Sequence, residues 1–345
     1  MHEFDQQLAA GVPLADDQIS QAVAQLLDPG VADTAKADFL CALARKGETA
    51  PEITAFAREL RAKSITPPLD AATRAREILD VCGTGGDRLN TFNISTTVAI
   101  VCAAGGVMVA KHGNRAVTSK SGSADVLEAL GIPVELSPEA AAASLRDHDF
   151  AFLFAPHFHP TFRQVKAARQ ICAARGQRTI FNFLGPLLNP AQPTAQLVGV
   201  PRPELTETLA RVIQALGVRR GMVVTGRVGD AWLDELSTLG DSVVAEFYQD
   251  RGFATSVFEL EHYPVQPAAL ADLAGGDSQT NAEIVRRLLR NEDAGPRRDA
   301  VLLNAGAALF VAGRSRSVLE GWELAAEIIA DGRALAKLRE LSTAR

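Results

Sequence analysis

The stretch from Asp80 to Leu130 constrains this chain more than any other. An apolar segment, Ile78 to Cys82, runs straight into Gly83-Thr84-Gly85-Gly86-Asp87. Glycines at that density allow a tight turn and bring bare N–H groups close to a ligand. Asn93-Ile94-Ser95-Thr96 then reads as a run of cap-type residues before a buried helix at Thr97 to Ala104. That helix N-terminus adds its dipole and free N–H groups to the same pocket. A second apolar strand, Val107 to Ala110, delivers Lys111-His112-Gly113-Asn114-Arg115. Ser119-Lys120-Ser121-Gly122-Ser123 leads into a helix at Ala124 to Leu130. Each cluster alone is an ordinary turn or a solvated face. Strand, polar Gly-rich loop and helix in repetition point to anion binding at the carboxyl ends of parallel strands. The spacing fits neither G-x-G-x-x-G nor a Walker loop.

The rest of the chain predicts an α/β fold with a small N-terminal helical domain and a larger α/β domain built on a mostly parallel central sheet. Residues 1–73 read as helices, and Thr49 with Glu52 forms a capping box. Ser64 to Arg74 is a Pro-rich linker. In residues 74–345 strand and helix alternate. Expected elements include strands at Pro133–Leu136, Ala151–Phe154, Gln196–Val200, Gly221–Thr225, Val243–Tyr248 and Ala254–Leu260. One helix is expected to carry Arg163, Lys166, Arg169 and Arg175, and a loop to span Gly226 to Leu233. Gly275-Gly276-Asp277 reads as a turn before a helix at Asn281–Leu289, followed by helices at Asp299–Val311, Val318–Ala330 and Arg333–Leu341.

The net charge of −6 argues against a general nucleic-acid or membrane surface while leaving room for a local cationic pocket. Cys41, Cys82, Cys102 and Cys172 lack metal spacing and read as buried free thiols. No basic apolar leader and no apolar run of membrane length stands in the sequence, so the expected location is cytoplasmic. His157 and His159 are two apart with no Cys or carboxylate cluster nearby, which is thin support for zinc. Asp234-Glu235 follows a buried strand; adjacent carboxylates are ordinarily solvated surface charge, and Mg²⁺ also commonly uses one or two carboxylates.

Taken together, Gly83–Asp87, Asn93–Thr96, Lys111–Arg115 and Asp234-Glu235 closely resemble the motifs of the anthranilate phosphoribosyltransferase family. The resemblance runs from about Leu14 to the C-terminus. It implies transfer of a phosphoribosyl group from phosphoribosyl diphosphate to anthranilate, with Mg²⁺ as cofactor, in tryptophan biosynthesis. It implies a homodimer through the helical domain, with helices near residues 160–195 as candidates to join that domain. By the same resemblance Gly83, Gly86 and Asp87 hold the diphosphate and ribose side. Thr91, Asn93, Ile94, Ser95 and Thr96 grip phosphate, with Ser95 also on Mg²⁺. Lys111, His112, Gly113, Asn114, Arg115, Ser119 and Ser123 close over the substrate. Asn114 and Arg169 meet anthranilate, and Asp234 and Glu235 hold Mg²⁺. No dedicated general base is evident. Two departures stand out: Ile171 to Gln177 is about three residues longer than the family pattern, and Ala231-Trp232 replaces a glycine before Leu-Asp-Glu. The rival readings are a pyrimidine-nucleoside phosphorylase on the same scaffold and a nucleic-acid-binding paralogue. The intact motifs and acidic charge argue against both.

Overall fold

The computed structural model describes residues 1–116, 120–248 and 252–344. Helices Asp16–Leu27, Asp33–Lys46 and Ala50–Ala62 form an N-terminal bundle. The capping box at its third helix is present: Glu52 Oε2 accepts the Thr49 N–H at 2.9 Å, and the Thr49 hydroxyl accepts the Glu52 N–H at 3.4 Å. Glu52 is buried, with Lys46 Nζ at 2.7 Å and the Leu14 N–H at 2.9 Å. Burial alone would raise its pKa; the ammonium and the N–H donors outweigh burial and lower it. The apolar stripes of the bundle, including Ile19, Phe39 and Phe56, share one core with Val165, Ala168 and Cys172. The chain between residues 160 and 188 is therefore a common wall of the bundle and the sheet.

The sheet has strands β1 (Ile78–Gly83), β2 (Met108–Gly113), β3 (Phe150–Phe154), β4 (Ala195–Gly199), β5 (Arg220–Val228), β6 (Ala231–Leu233), β7 (Ser242–Tyr248) and β8 (Gly252–Phe258). Their order is β3-β2-β1-β4-β5-β7-β8, with β6 paired to β5. β1 to β5 pair in parallel, while β6, β7 and β8 join antiparallel. The order reverses between β1 and β4, and a crevice opens beyond the carboxyl ends of strands at such a switch point. Helices Ile94–Ala104, Pro296–Val311 and Val318–Ala330 pack in the second large core.

Four expectations need correction. Pro133–Leu136 is not a strand: Ile132 and Val134 are buried in the core without pairing, and Pro133 has no N–H to donate. The single helix expected after His159 is two pieces, a 3₁₀ segment Pro160–Val165 and an α-helix Lys166–Ala174, so Arg163 and Arg169 stand on different elements. Gly226 to Leu233 is no open loop but the end of β5 turning into β6, with Gly229 at φ +59° in the turn. The second strand runs on through Lys111, His112 and Gly113, which places the lysine in the buried sheet rather than on a loop.

Candidate active site

Two glycines bring the acidic pair to the switch point. A Cβ on Gly83, at the end of β1, would overlap the Asp234 carboxylate. One on Gly199, at the end of β4, would overlap the Asp234 carbonyl oxygen. Only glycine at both strand ends lets the β6 hairpin lay Asp234 across them. The Gly83–Asp87 loop then curls around the carboxylate, and the Gly85 N–H donates to Asp234 Oδ2 at 2.6 Å. Gly85 and Gly86 sit at φ +74° and +87°, and Arg88 and Asn90 at +64° and +54° also adopt the left-handed region. Non-glycine residues held there store strain, and such strain gathers at ligand loops.

Carboxylates crowd this corner. Burial raises the pKa of Glu235 to about 7, and the neighbouring Asp87 charge adds to that rise. Burial, then Asp87 and Glu235, push Asp234 well above its ordinary range. Acids held this uncomfortably fit a divalent cation, whose charge would relieve them. The trio is not a closed cage: among the described residues, only the exposed Glu259, Glu261 and His262 bring three such ligand atoms within 4.8 Å of one another. An open seat of one or two carboxylates is what Mg²⁺ uses when phosphate oxygens and water complete its shell. Ser95 belongs to this corner, its N–H donating to Glu235 Oε1 at 3.2 Å. Lys111 Nζ reaches the Ser95 hydroxyl at 3.3 Å and the Val81 carbonyl at 2.6 Å. Burial draws the Lys111 pKa down.

The run from Thr91 to Thr96 is supported from a distant part of the chain. Thr91 bridges Ala274, and the Gly275 N–H donates to the Asn90 carbonyl at 2.9 Å. Asn281 Nδ2 donates to Asn93 Oδ1 at 2.8 Å. Gly275-Gly276-Asp277 is thus a brace for the segment Asn90–Asn93, with Asp277 capping the next helix at Thr280. Ile94 and Thr96 are buried in the first helical turn. In the second loop Arg115 is held by acids, with Nη1 at 2.7 Å from Glu128 and 3.3 Å from Asp125, and Nη2 at 3.3 Å from Glu135. Asn114 Oδ1 accepts the Arg115 N–H at 2.8 Å, and the Ser123 hydroxyl reaches the Asn114 carbonyl at 3.4 Å. Ser119 lies outside the described residues.

From Lys111-His112 an aromatic row leads away. His112 and His159 meet edge-to-face with ring centroids 5.1 Å apart. His159 stacks on Phe162 at 5.0 Å, and Phe162 meets Phe181 at 5.9 Å. The Arg169 guanidinium lies over Phe181, 5.5 Å from the centroid. Among the described residues Arg169 has no carboxylate partner, whereas Arg175 is paired with Asp38 at 2.6 Å. Burial takes His112 to about 3 and His159 to about 4, so both rings are neutral. The His112 Nδ1 contact is the Gly185 carbonyl at 3.1 Å. A carbonyl only accepts, so Nδ1 carries the proton and Nε2 keeps its lone pair. The lengthened stretch after Arg169 is the last helical turn and an exit at Gly176, φ +70°.

Sequence reasoning missed Gly199, Arg178 and Asn189. Arg178 Nη2 donates to the Gly86 carbonyl at 3.0 Å and Asn189 Nδ2 to the Ala110 carbonyl at 2.7 Å. A glycine closing a buried strand was the available signal for Gly199; Arg178 and Asn189 stand in Arg178–Asn182 and Gly185–Pro190, stretches that match the family pattern but gave neither residue a role.

A helical bundle beside a parallel sheet, with a glycine loop and an acidic pair at its switch point, defines a two-domain glycosyl transferase. Residues 3–64 match the helical bundle domain of a glycosyl transferase family, and residues 75–335 match its a/b domain. The chain belongs to the anthranilate phosphoribosyltransferase family. It is 42% identical over 328 residues to the enzyme of that name from Alkaliphilus metalliredigens, covering 95% of this chain and 93% of the relative. It is 47% identical over 305 residues to that of Lacticaseibacillus casei, covering 88% and 86%. The crystal structure of the Thermus thermophilus enzyme superposes with TM-score 0.87 at 40% identity, covering 98% of this chain and 97% of that one. The Saccharomyces cerevisiae enzyme in complex with PRPP and Mg gives 0.85 at 28% identity, covering 99% and 96%.

Proposed function

We propose that this chain transfers the 5-phosphoribosyl group of phosphoribosyl diphosphate to the amine of anthranilate, releasing pyrophosphate and N-(5′-phosphoribosyl)anthranilate for tryptophan biosynthesis. The observation that carries the reading is the aromatic row ending in Arg169, a guanidinium with no acid beside it among the described residues. A flat ring finds stacking partners along that row, and a guanidinium at its end matches a planar carboxylate. The donor belongs in the Gly83–Asp87 crevice, beside the run Thr91 to Thr96. Asp234, Glu235 and Ser95 would hold Mg²⁺ there, which when bound neutralises charge on the departing diphosphate.

As the bond to the ribose C1 breaks, positive charge builds on the sugar and the amine attacks. Positioning and electrostatics supply most of such a barrier reduction. An aromatic amine is already neutral and needs no strong base. Neutral His112 offers no cation to repel the developing charge. The protein works as a homodimer in the cytoplasm, with the helical bundle as the contact; the family relationship supports this. Purified protein with phosphoribosyl diphosphate and Mg²⁺ should extinguish anthranilate fluorescence. Unchanged fluorescence overturns the reading.

A further inference from the structure

The β1–β2 ladder stops early. Its pairs are Ile78↔Met108 and Leu79↔Val109. On its other edge β1 stays paired with β4 as far as Gly83↔Gly199, and β2 stays paired with β3 as far as Gly113↔Phe154. The two strands that deliver the two ligand loops therefore part company well before their own ends. Side chains take the place of the missing ladder. Asp80 Oδ1 accepts the His112 backbone N–H at 3.3 Å. From the opposite strand Lys111 Nζ donates to the Val81 carbonyl at 2.6 Å. Asn189 Nδ2 donates to the Ala110 carbonyl at 2.7 Å. Burial raises the Asp80 pKa, a rise that the Asn189 amide, the Lys111 ammonium and the His112 N–H oppose without cancelling. The Cys82 thiol lies 3.7 Å from Asp80 Oδ2.

Asp80 and Asn189 are fully buried, and Lys111 is 1% exposed. Such a polar set is expensive in a parallel-sheet core, where a fully apolar strand would be the cheap choice.

We infer that Asp80 is a positioning residue for the transfer reaction: with Asn189 it sets the width between the Gly83–Asp87 loop and the Lys111–Arg115 loop. The inference rests on the function proposed above. Asp80 holds the His112 backbone while Gly185 holds its ring, so donor loop and acceptor row are fixed to one another through a single carboxylate. Closing the gap to a regular ladder would bring the loops together and narrow the crevice.

The test is steady-state kinetics on Asp80→Asn, which keeps the shape and replaces the carboxyl by an amide. Its donor kcat/KM should fall on the order of 10²-fold, the loss expected from a misplacement near 1 Å. Its donor KM should move more than its anthranilate KM, and thermal melting should remain cooperative. Val109→Ala is the control: it thins the same sheet without touching the polar set, and should lower Tm while leaving both KM values in place. A donor kcat/KM for Asp80→Asn equal to wild type, or a profile like that of Val109→Ala, overturns the inference. If Asp80→Asn does not fold, Asn189→Ser reads the same gap and should show the same donor-weighted loss. Failure of both to fold makes the set a folding element and overturns it too. A wild-type protein that leaves anthranilate untouched sinks the proposed function instead, which keeps the two failures apart.

Discussion

Arg169 has an aromatic face beneath it and, among the described residues, no carboxylate beside it, so its charge is available to a ligand. If Arg169 holds the anthranilate carboxylate as proposed, replacing it with alanine removes a contact made both before and during reaction. A charge-assisted hydrogen bond is worth about 1.5–3 kcal/mol, and anthranilate KM should rise roughly ten- to a hundred-fold with kcat little changed. Arg163→Ala and Arg175→Ala should be nearly silent, because the exposed Arg175–Asp38 pair contributes little. A large effect at Arg175 with none at Arg169 would put the acceptor elsewhere. Glu235 yields a prediction of a different kind. Its folded pKa of about 7 stands above the ordinary 4.5. A raised carboxyl stabilises the metal-free protein below its unfolded value, and that contribution is lost as pH rises through about 7. A bound cation replaces the proton, so Mg²⁺ should raise Tm more at pH 8 than at pH 6. Melting curves with equal Mg²⁺ shifts at both values would refute this. Asp234→Asn with Glu235→Gln should remove both the Mg²⁺ shift and metal-supported turnover.

At the scale of elements, the site depends on how closely β4 lets the β6 hairpin approach. Gly199→Ala places a carbon against the Asp234 carbonyl, where no side chain can swing aside. The hairpin must lift, at about 1–3 kcal/mol for an overpacked contact. Turnover at limiting Mg²⁺ should fall further than that stability loss implies, because the carboxylates move with the backbone. Wild-type Mg²⁺ dependence in this variant would show that the acidic pair is held from elsewhere. The helical bundle has its own keystone in Glu52, which caps a helix and pairs with buried Lys46. Removing one partner of a buried pair costs about 3–5 kcal/mol, so Lys46→Met should lower the melting temperature clearly in calorimetry.

Across the whole molecule, one wall serves two purposes. The segment from Pro160 to Leu188 packs Val165 and Cys172 into the bundle core while Phe162 and Phe181 line the row leading to Arg169. The bundle core therefore fixes the wall on which Phe162, Phe181 and Arg169 stand. If it also joins two chains, sedimentation should give twice the mass of one chain at working concentrations. A single-chain mass with full activity would remove dimerisation from the account.

The α/β architecture, the bundle, the capping box at Thr49 and the family were legible in the sequence, because periodicity, caps and glycine-rich loops are local signals. The acidic pair was legible for the same reason, following a buried strand. Local patterns do not say what a side chain meets across space. Lys111 and Arg115 read as free cations in a loop, yet strand burial turns one toward Ser95 and three carboxylates claim the other. The brace from Gly275 to Asn90, the seat that Gly199 makes for Asp234, and the Asp80–His112 link span long stretches of chain. Those contacts exist only once the strands lie in the order β3-β2-β1-β4-β5, and that order, set by packing both sheet faces at once, is what the tertiary structure alone decided.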